Sequence, residues 1–341
     1  MRRLPIQRLV VVACLVLALG AAGAPTAGAG GAGAAGGDAD DDLTVVNFNV
    51  LHGAFCPEGS DNCQLPDRME LLGQRLEEAE CPDIVGLQEV SKGVYDEIKR
   101  QPVIEACDYD IVLARPKNLD QEVVLTRLPV KSKKVVELVG NLRTASRVVL
   151  KSDLGPVVLV VTHQDGDRAP GELGADATCT EAACPPPCEP GSPFLACQTT
   201  VAAGLADDVG GKKAIRILMG DFNVTPASAR MQGLVADGWV DTHLAAGNPE
   251  CDASGVGCTS GRLDEVVDDM KDPNSRQLRR IDFMFVKPPA RCAPVFDPDP
   301  DGDGDGLGTG IWDDPVPDGP GGMVFVSDHS GTSFDLSCDR A

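Results

Sequence analysis

The feature that most restricts the fold of this chain is a set of short apolar runs, each joined to polar side chains of similar chemistry. Runs of this length, bounded by turn residues, predict buried strands. Six of them carry or precede an amide, a carboxylate or an imidazole: Asn49, Glu89, His163, Asp221 with Asn223, Asp282, and Asp328 with His329. Any one of these would be explained by a turn or a structural ion pair. Because a buried carboxylate without a partner is costly, six coincident cases predict a functional site.

The apolar pattern predicts strands and helices that alternate only in part of the chain. The predicted strands are Leu43–Val50, Asp83–Gln88, Tyr109–Ala114, Glu122–Thr126, Lys134–Val139, Arg147–Lys151, Val157–Thr162, Ile215–Met219, Ile281–Val286 and Met323–Val326. The predicted helices are Pro66–Glu80, Val94–Ile104, Thr199–Val209 and Ala227–Ala236. Several strands follow one another without a helix between them, so we expect an α/β (α+β) protein with mixed sheets.

The N-terminal residues have the pattern of an export signal. Three arginines precede the apolar run Leu9–Leu19, and an Ala/Gly-rich stretch follows it. This order is typical of a secretory signal peptide, and the run is too short for a membrane span. We interpret residues 1–29 as a signal peptide and 30–42 as an Ala/Gly/Asp-rich linker, with a lipid-modified Cys14 as the less favoured alternative. The prediction is a secreted protein, extracellular or periplasmic, without a stable membrane span.

Cysteine usage agrees with export. The chain has 13 cysteines, and removal of Cys14 with the signal peptide leaves an even number, as expected for disulfides in an oxidising compartment. The predicted pairs are Cys56 with Cys63, Cys81 with Cys107, Cys251 with Cys258, Cys292 with Cys338, and pairing within the group Cys179, Cys184, Cys188 and Cys197. Zinc is the alternative for that group, but its spacings are loose for a zinc site, so disulfides are favoured.

Composition limits the classes of partner. The 341 residues include 52 acidic and 30 basic residues, a net charge of −22. This argues against a protein that coats DNA or binds anionic membranes, because both need a basic surface. A nuclease is not excluded, since a bound divalent metal can meet the phosphate. We therefore treat nucleic acid as a candidate substrate only, and we expect a monomer.

The ordered motifs resemble a known family. Asn-Val after the first strand, Gln-Glu, Thr-His, Gly-Asp-Phe-Asn, Arg-Ile-Asp and Ser-Asp-His occur in the order seen in the endonuclease/exonuclease/phosphatase (DNase I-like) superfamily. The resemblance spans residues 43 to 337. It implies a four-layer α/β sandwich, in which two mixed β-sheets pack face to face with helices outside. Residues 43–341 would form the catalytic domain, with a Cys-rich insertion at 165–197 and an Asp/Gly-rich insertion at 297–322.

The resemblance also implies a role for each motif residue. Glu89, with Asn49 and Asp328, would hold Mg²⁺, or Mn²⁺ as an alternative, because carboxylate and amide oxygens suit hard cations. Asp221 would position or deprotonate the attacking water.

Four further residues would contact or face the phosphate. Asn223 and His163 would contact its oxygens, and His329 would face the phosphorus in a dyad with Asp282. Arg147 matches a phosphate-binding position less closely.

Two peripheral features complete the predictions. Glu122 is a candidate to orient His163. The segment Asp301-Gly-Asp303-Gly-Asp305 resembles the start of a calcium loop, although its twelfth position is Trp312 instead of Glu. We expect Ca²⁺ to stabilise this loop without taking part in catalysis, and a solvated acidic loop is the alternative.

These observations predict a secreted, metal-dependent phosphoesterase that hydrolyses a phosphodiester or phosphomonoester through an activated water. An extracellular DNase I-like endonuclease is the first alternative. A catalytically inactive binding module on the same sandwich is the second.

Overall fold

A computed structural model describes residues 42–53, 56, 61–113, 121–140, 143–166, 177–180, 184, 186–262, 267–289, 294–296 and 309–338. The strands are β1 Leu43–Asn49, β2 Ile84–Gln88, β3 Asp110–Leu113, β4 Val123–Thr126, β5 Val130–Glu137, β6 Thr144–Ser152, β7 Gly155–His163, β8 Ile215–Asp221, β9 Val240–Asp241, β10 Asp282–Lys287, β11 Pro294–Val295, β12 Gly310–Trp312 and β13 Gly331–Cys338. The α-helices are α1 Asp61–Glu78, α2 Lys92–Ile98, α3 Pro102–Ala106, α4 Phe194–Asp207, α5 Ala229–Ala236 and α6 Thr242–Ala245. Three short 3₁₀ turns lie at Gly211–Lys213, Val267–Met270 and Pro320–Gly322.

The described strands form two mixed sheets. The first sheet has the order β11-β13-β1-β2-β4-β3, with β12 also paired to β13. In it, β1 is parallel to β2 and antiparallel to β13. The second sheet has the order β5-β6-β7-β8-β10-β9, with β8 parallel to β7 and antiparallel to β10. The expectation of mixed sheets is confirmed.

Three apolar clusters show how the layers pack. One lies between the sheets and combines residues such as Val45 of β1 and Phe334 of β13 with Leu159 of β7 and Ile217 of β8. A second cluster packs α1, α2 and α3 on the outer face of the first sheet. A third packs α4 and α5 on the outer face of the second. This is the four-layer α/β sandwich that the resemblance implied.

Two glycines allow close packing at the centre of the sandwich. A Cβ on Gly86 of β2 would lie 2.1 Å from Met219 Cε of β8, so the sheets could not approach as they do. Gly220 has a φ of 147°, and a Cβ there would lie 1.8 Å from the Thr162 carbonyl oxygen. Glycine is needed at this position because other residues rarely adopt that backbone. Gly220 therefore lets β8 lie against β7 immediately before Asp221.

Several predicted elements have different bounds or do not form. The helix predicted at Val94–Ile104 is two helices, α2 and α3, because Pro102 begins a new helix and disfavours helical backbone at the residue before it. Met323–Val326 is wrong as a strand. Met323 and Val326 are buried against the helices over the first sheet, but the segment does not pair as a strand, and the last described strand is β13.

The predicted insertions are partly regular structure. Helix α4 begins at Phe194, inside the Cys-rich segment 165–197, and β12 lies inside the segment 297–322. Helix α1 extends from Asp61, although Cys63 and Gln64 have positive φ, so its regular right-handed backbone follows Gln64.

Five disulfides connect the described cysteines. They join Cys56 to Cys63, Cys81 to Cys107, Cys179 to Cys184, Cys188 to Cys197, and Cys251 to Cys258. These pairs confirm the predictions for Cys56 with Cys63, Cys81 with Cys107, and Cys251 with Cys258, and the group of four pairs within itself instead of presenting thiolates to zinc. The predicted bond between Cys292 and Cys338 cannot be placed, because Cys292 lies outside the described residues.

Two other predictions concern residues that the structure does not describe. The predicted signal peptide and the acidic positions Asp301, Asp303 and Asp305 lie outside them, so both remain predictions. Among the residues that are described, no helix combines the length and apolar character that a bilayer crossing requires.

Candidate active site

The pairing of three neighbouring strands places three of the predicted residues in one row. His163 at the end of β7 lies opposite Asp221 at the end of β8. Asp221 lies opposite Asp282 at the start of β10. Directly opposed residues point to the same face of a sheet, so these side chains meet at one edge of the second sheet.

The Asp221 carboxylate is the centre of this row. Its Oδ1 accepts a hydrogen bond of 2.7 Å from the Asn223 backbone N–H. Its Oδ2 accepts bonds of 3.2 Å from Asn49 Nδ2 and 3.3 Å from Asn223 Nδ2, and lies 3.4 Å from His163 Nε2. Burial and the negative charge of Asp282 raise the pKa of Asp221 above its ordinary value. A carboxylate with a raised pKa is a better proton acceptor, which suits a general base.

His329 and Asp282 form the expected dyad. His329 Nδ1 lies 2.9 Å from Asp282 Oδ2, and both side chains are almost completely buried. Burial by itself would lower the pKa of His329, but the charges of Asp282 and Asp328 outweigh it, and the pKa lies well above 6.5. The contact with Asp282 therefore favours the imidazolium form of His329. Its Nε2 lies 3.9 Å from Asp221 Oδ2, so the dyad faces the centre of the row.

The first sheet brings Asn49 and Glu89 to the same place. Asn49 Nδ2 donates to Glu89 Oε1 at 3.1 Å as well as to Asp221, and thereby connects the two sheets. Asn49 Oδ1 accepts from the Leu51 N–H at 3.1 Å. In this arrangement the amide nitrogen faces the carboxylates. Ligation of a metal through Oδ1, as the resemblance implies, would require the amide to turn over.

The tautomer of His163 follows from its contact with Arg143. Arg143 Nη1 lies 2.8 Å from His163 Nδ1, and a guanidinium can only donate, so Nδ1 is the acceptor. The ring proton is then on Nε2, which lies 3.4 Å from Asp221 Oδ2. Asn223 Nδ2 lies 3.0 Å from Nε2 but is itself a donor, and it donates to the Gln164 carbonyl oxygen and to Asp221 Oδ2, so in this tautomer its contact with the ring is not a hydrogen bond.

A fully buried arginine supports the loops on the side of the first sheet. Arg68 of α1 donates to the carbonyl oxygens of Val50 at 2.7 Å, Leu51 at 3.1 Å and Val326 at 3.1 Å. Burial lowers its pKa to about 10, although the charges of Asp328 and Glu89 partly offset that effect. Arg68 therefore links the segment after Asn49 to the loop that carries Asp328 and His329.

The donor set fits a hard divalent cation. Glu89 and Asp221 converge on one amide group, and Asp282 Oδ1 is buried without a hydrogen-bond partner in the described structure. Such a concentration of carboxylates is typical of sites that hold Mg²⁺ through oxygen. Ligand atoms of Asp221, Asp282 and His329 also lie within 4.8 Å of one another. His329 Nδ1 already contacts Asp282, and the set of Glu89, Asn49 and Asp328 stays a prediction.

Arg147 lies away from the cluster, and Glu122 contacts Thr144. Arg147 lies in the middle of β6, where its Nη1 is 3.5 Å from the Leu205 carbonyl oxygen and 3.9 Å from Asp208 Oδ2. It is directed towards the end of α4 and is not part of the cluster. Glu122 accepts a hydrogen bond from Thr144 Oγ1, whereas Arg143 and Asn223 contact the ring nitrogens of His163.

Three residues of the site were not predicted. His52, three residues after Asn49, donates its backbone N–H to Glu89 Oε2 at 3.0 Å, and its position after a strand could have indicated it. Arg68 lies on the apolar stripe of α1, where a charged residue is itself a signal. Arg143 precedes β6 and carries no comparable local signal.

Comparisons with known proteins identify the family and the fold. The model of the Endonuclease/Exonuclease/phosphatase family matches residues 46–329. No curated protein matches the chain at the level of sequence. Several solved structures share the fold. Truncated TDP2 of Caenorhabditis elegans has a TM-score of 0.56 and 17% identity, with 86% of this chain and 97% of that chain covered.

Two further structures have comparable scores. TDP2 of D. rerio, complexed with single strand DNA product, has a TM-score of 0.59 and 16% identity, covering 87% and 100% of the two chains. The mannosyl-6-phosphatase of Bacteroides thetaiotaomicron VPI-5482 has a TM-score of 0.59 and 18% identity, covering 86% and 99%. These structural likenesses concern the fold. Since the family model covers most of the sequence, this chain belongs to the endonuclease/exonuclease/phosphatase family.

Proposed function

We propose that the protein is a secreted, metal-dependent phosphoesterase that hydrolyses a phosphodiester or phosphomonoester by in-line attack of water. The observation that carries this proposal is the row of His163, Asp221 and Asp282, which meets the His329 imidazole and the Asn49 amide at one point. Together, the row, the His329 imidazole and the Asn49 amide supply a base, a cation and neutral donors. Such a set can serve both the attacking and the transferred groups of a phosphate ester.

Proton transfer is assigned to Asp221. Its carboxylate accepts the proton of the attacking water, and its raised pKa favours that transfer. The Asn223 N–H holds Oδ1, which fixes the orientation of the carboxylate while Oδ2 faces the site. The imidazolium of His329, kept charged by Asp282, stabilises the negative charge that develops on the phosphate oxygens.

Orientation of the phosphate is assigned to two neutral donors. Asn223 Nδ2 and the Nε2–H of His163 both lie against Asp221 Oδ2, at 3.3 Å and 3.4 Å. When phosphate binds, each would donate to a non-bridging oxygen in place of this carboxylate oxygen, without adding charge. Arg143 acts through His163 and is therefore a positioning residue, because its donation to Nδ1 keeps the proton on Nε2.

A divalent cation completes the site. Glu89 and Asp328, with Asn49 after its amide has turned over, would hold Mg²⁺ or Mn²⁺. When bound, the metal would act as a Lewis acid on the phosphate oxygens.

Export of the protein follows from the N-terminal signal pattern, and the five disulfides support an oxidising compartment. We propose a monomer.

An extracellular DNase I-like endonuclease is the second candidate. The observation that favours it is the likeness of the fold to a TDP2 that was solved with single strand DNA product. The net charge of −22 weakens this candidate because long nucleic acids need compensating basic residues. An inactive binding module is least favoured, since Glu89, Asp221, Asp282 and His329 are all present.

A substrate panel tests the proposal. The mature protein would be assayed with p-nitrophenyl phosphodiesters, sugar and inositol phosphates, sphingomyelin, and single- and double-stranded DNA. Each assay would be run with Mg²⁺ and with a chelator. We expect Mg²⁺-dependent release of product from at least one phosphate ester. Turnover that is equal with Mg²⁺ and with chelator would exclude the metal-dependent mechanism, and no turnover of any ester would exclude the proposed activity.

A further inference from the structure

A polar cavity lies between the loop at Ser254 and the loop at Asn274. Its volume is about 520 Å³. Arg262, Arg276 and Gln277 line it together with these two residues, and Asp313 contributes the acidic group of the described lining. A space of this size accommodates a phosphate group and the part of a molecule that carries it.

The described wall of the cavity carries two arginines and one aspartate, in a chain whose net charge is −22. Arg262 is only 5% exposed, and its Nε has no hydrogen-bond partner among the described residues. Burial lowers the pKa of Arg262 to about 10, despite the opposing charges of Asp313, Asp328 and Asp269. The guanidinium remains charged at neutral pH, so it attracts an anion that enters the cavity.

Direct contacts connect the cavity to the dyad. Arg262 Nη1 and Gln277 Nε2 both donate to Ser330 Oγ, at 3.2 Å and 3.0 Å, and Ser330 follows His329 in the chain. The segment that precedes Arg262 supports the other dyad member, because Thr259 Oγ1 accepts the Asp282 N–H at 3.1 Å. The wall of the cavity is therefore also the support of the catalytic pair.

We propose that this cavity is a subsite for a second anionic group, a phosphate or a carboxylate, carried by the substrate. The inference rests on the proposed phosphoesterase function and narrows its substrate class. Arg276 is exposed and meets the incoming anion first, and the buried guanidinium of Arg262, stacked on Phe325, provides positive charge at the inner end of the cavity. The hydrolysed phosphate would lie at Asp221 and His329 while the second anion occupies the cavity.

Matched substrates test the subsite. p-Nitrophenyl alkyl phosphodiesters would be prepared with alkyl chains of increasing length that end either in a phosphate or in a hydroxyl. We expect the phosphate-ended ester to have a kcat/KM about tenfold higher than its hydroxyl-ended partner at one or more chain lengths, because it gains charge-assisted hydrogen bonds. Arg276→Ala should reduce this ratio towards one, and Arg276→Lys should restore part of it.

Arg279→Ala is the control, since Arg279 is an exposed arginine three residues further along that does not line the cavity. It removes the same charge and should leave the ratio at its wild-type value. Turnover of both series without any preference for the terminal phosphate would overturn the subsite and leave the phosphoesterase function intact. An equal loss of preference in Arg276→Ala and Arg279→Ala would also overturn it, because the effect would then be one of net charge. Absence of turnover in both series would overturn the subsite, and it would overturn the proposed function as well if the substrate panel also gave no product.

Discussion

The two sheets contribute to the site in different ways. In the second sheet, His163, Asp221 and Asp282 are parts of paired strands, and backbone register alone places them side by side. On the first sheet, Glu89 and Asp328 lie in segments beyond the strand ends, and Glu89 has a φ of 60°. Positive φ is uncommon for residues other than glycine, so Glu89 depends on its surroundings to keep this conformation.

Paired strands support the residues assigned to proton transfer, whereas loops support most of the residues assigned to metal binding. Proton transfer needs fixed geometry, and the ladder of β7, β8 and β10 supplies it. Of the proposed metal ligands, Glu89 and Asp328 are held by loops, with Arg68 as the buried connection between them. Changes on the second sheet, and at His329, which contacts Asp282 of that sheet, should therefore affect the rate of chemistry. Changes at Glu89 and Asp328 should affect the response to metal.

The largest effect is expected from Asp282→Asn. This change keeps the shape of the side chain but removes the charge that holds His329 as an imidazolium. We expect kcat to fall by about 10²-fold or more, while the melting temperature stays close to that of the wild type. Steady-state kinetics and thermal unfolding would be measured on the same preparation, and an unchanged kcat would remove Asp282 from the mechanism.

The pH profile sharpens this prediction. The pKa of His329 is raised, so the imidazolium is present below that pKa and is lost as the pH rises through it. The alkaline limb of kcat should therefore lie well above pH 6.5 in the wild type. Without the Asp282 charge, burial lowers the pKa, and the limb should move to lower pH in Asp282→Asn. A limb that does not move would mean that His329 does not titrate in this range.

A smaller effect, confined to metal, is expected from Glu89→Gln. The change replaces an anionic ligand with a neutral one of nearly the same shape, so the Mg²⁺ concentration for half-maximal activity should rise about tenfold. Glu105→Gln is a suitable control, because Glu105 is an exposed glutamate on α3. If wild type, Glu89→Gln and Glu105→Gln share one Mg²⁺ midpoint, Glu89 is not a ligand.

The smallest effect is expected at the predicted calcium loop. Asp301, Asp303 and Asp305 occupy one short segment, which suits the six to eight oxygens that Ca²⁺ prefers. Replacement of all three by Asn should abolish any rise in melting temperature on addition of Ca²⁺, because binding stabilises the folded state by mass action. Mg²⁺-dependent turnover should persist. An equal rise in both proteins would mean that the loop is a solvated acidic segment.

The sequence was most informative where apolar runs are long. Strand β7 is buried on both faces, and its continuous run of Val and Leu indicated a central strand. Strand β13 was missed because only Phe334 and Leu336 alternate with polar residues there, whereas Met323–Val326 is apolar without pairing in a sheet. Burial and strand pairing are separate properties, and an apolar run reports only the first.

For the site, the sequence indicated the residues but not all of their contacts. The motif order identified Asp221, Asp282 and His329, and the structure brings them together. The sequence could not indicate that Arg143 sets the tautomer of His163, because that contact depends on tertiary structure. The orientation of the Asn49 amide is also a property of the folded site, and it differs from the ligand geometry that the resemblance implied.

The most direct test of the account is the turnover of His329→Ala beside His243→Ala, both saturated with Mg²⁺. His243 lies away from the site, where its Nε2 is 2.8 Å from the Pro249 carbonyl oxygen. We predict that His329→Ala lowers kcat by about 10²-fold or more with an unchanged fold by circular dichroism, and that His243→Ala retains wild-type turnover. Near-wild-type turnover in a folded His329→Ala variant would contradict the assignment of the active site.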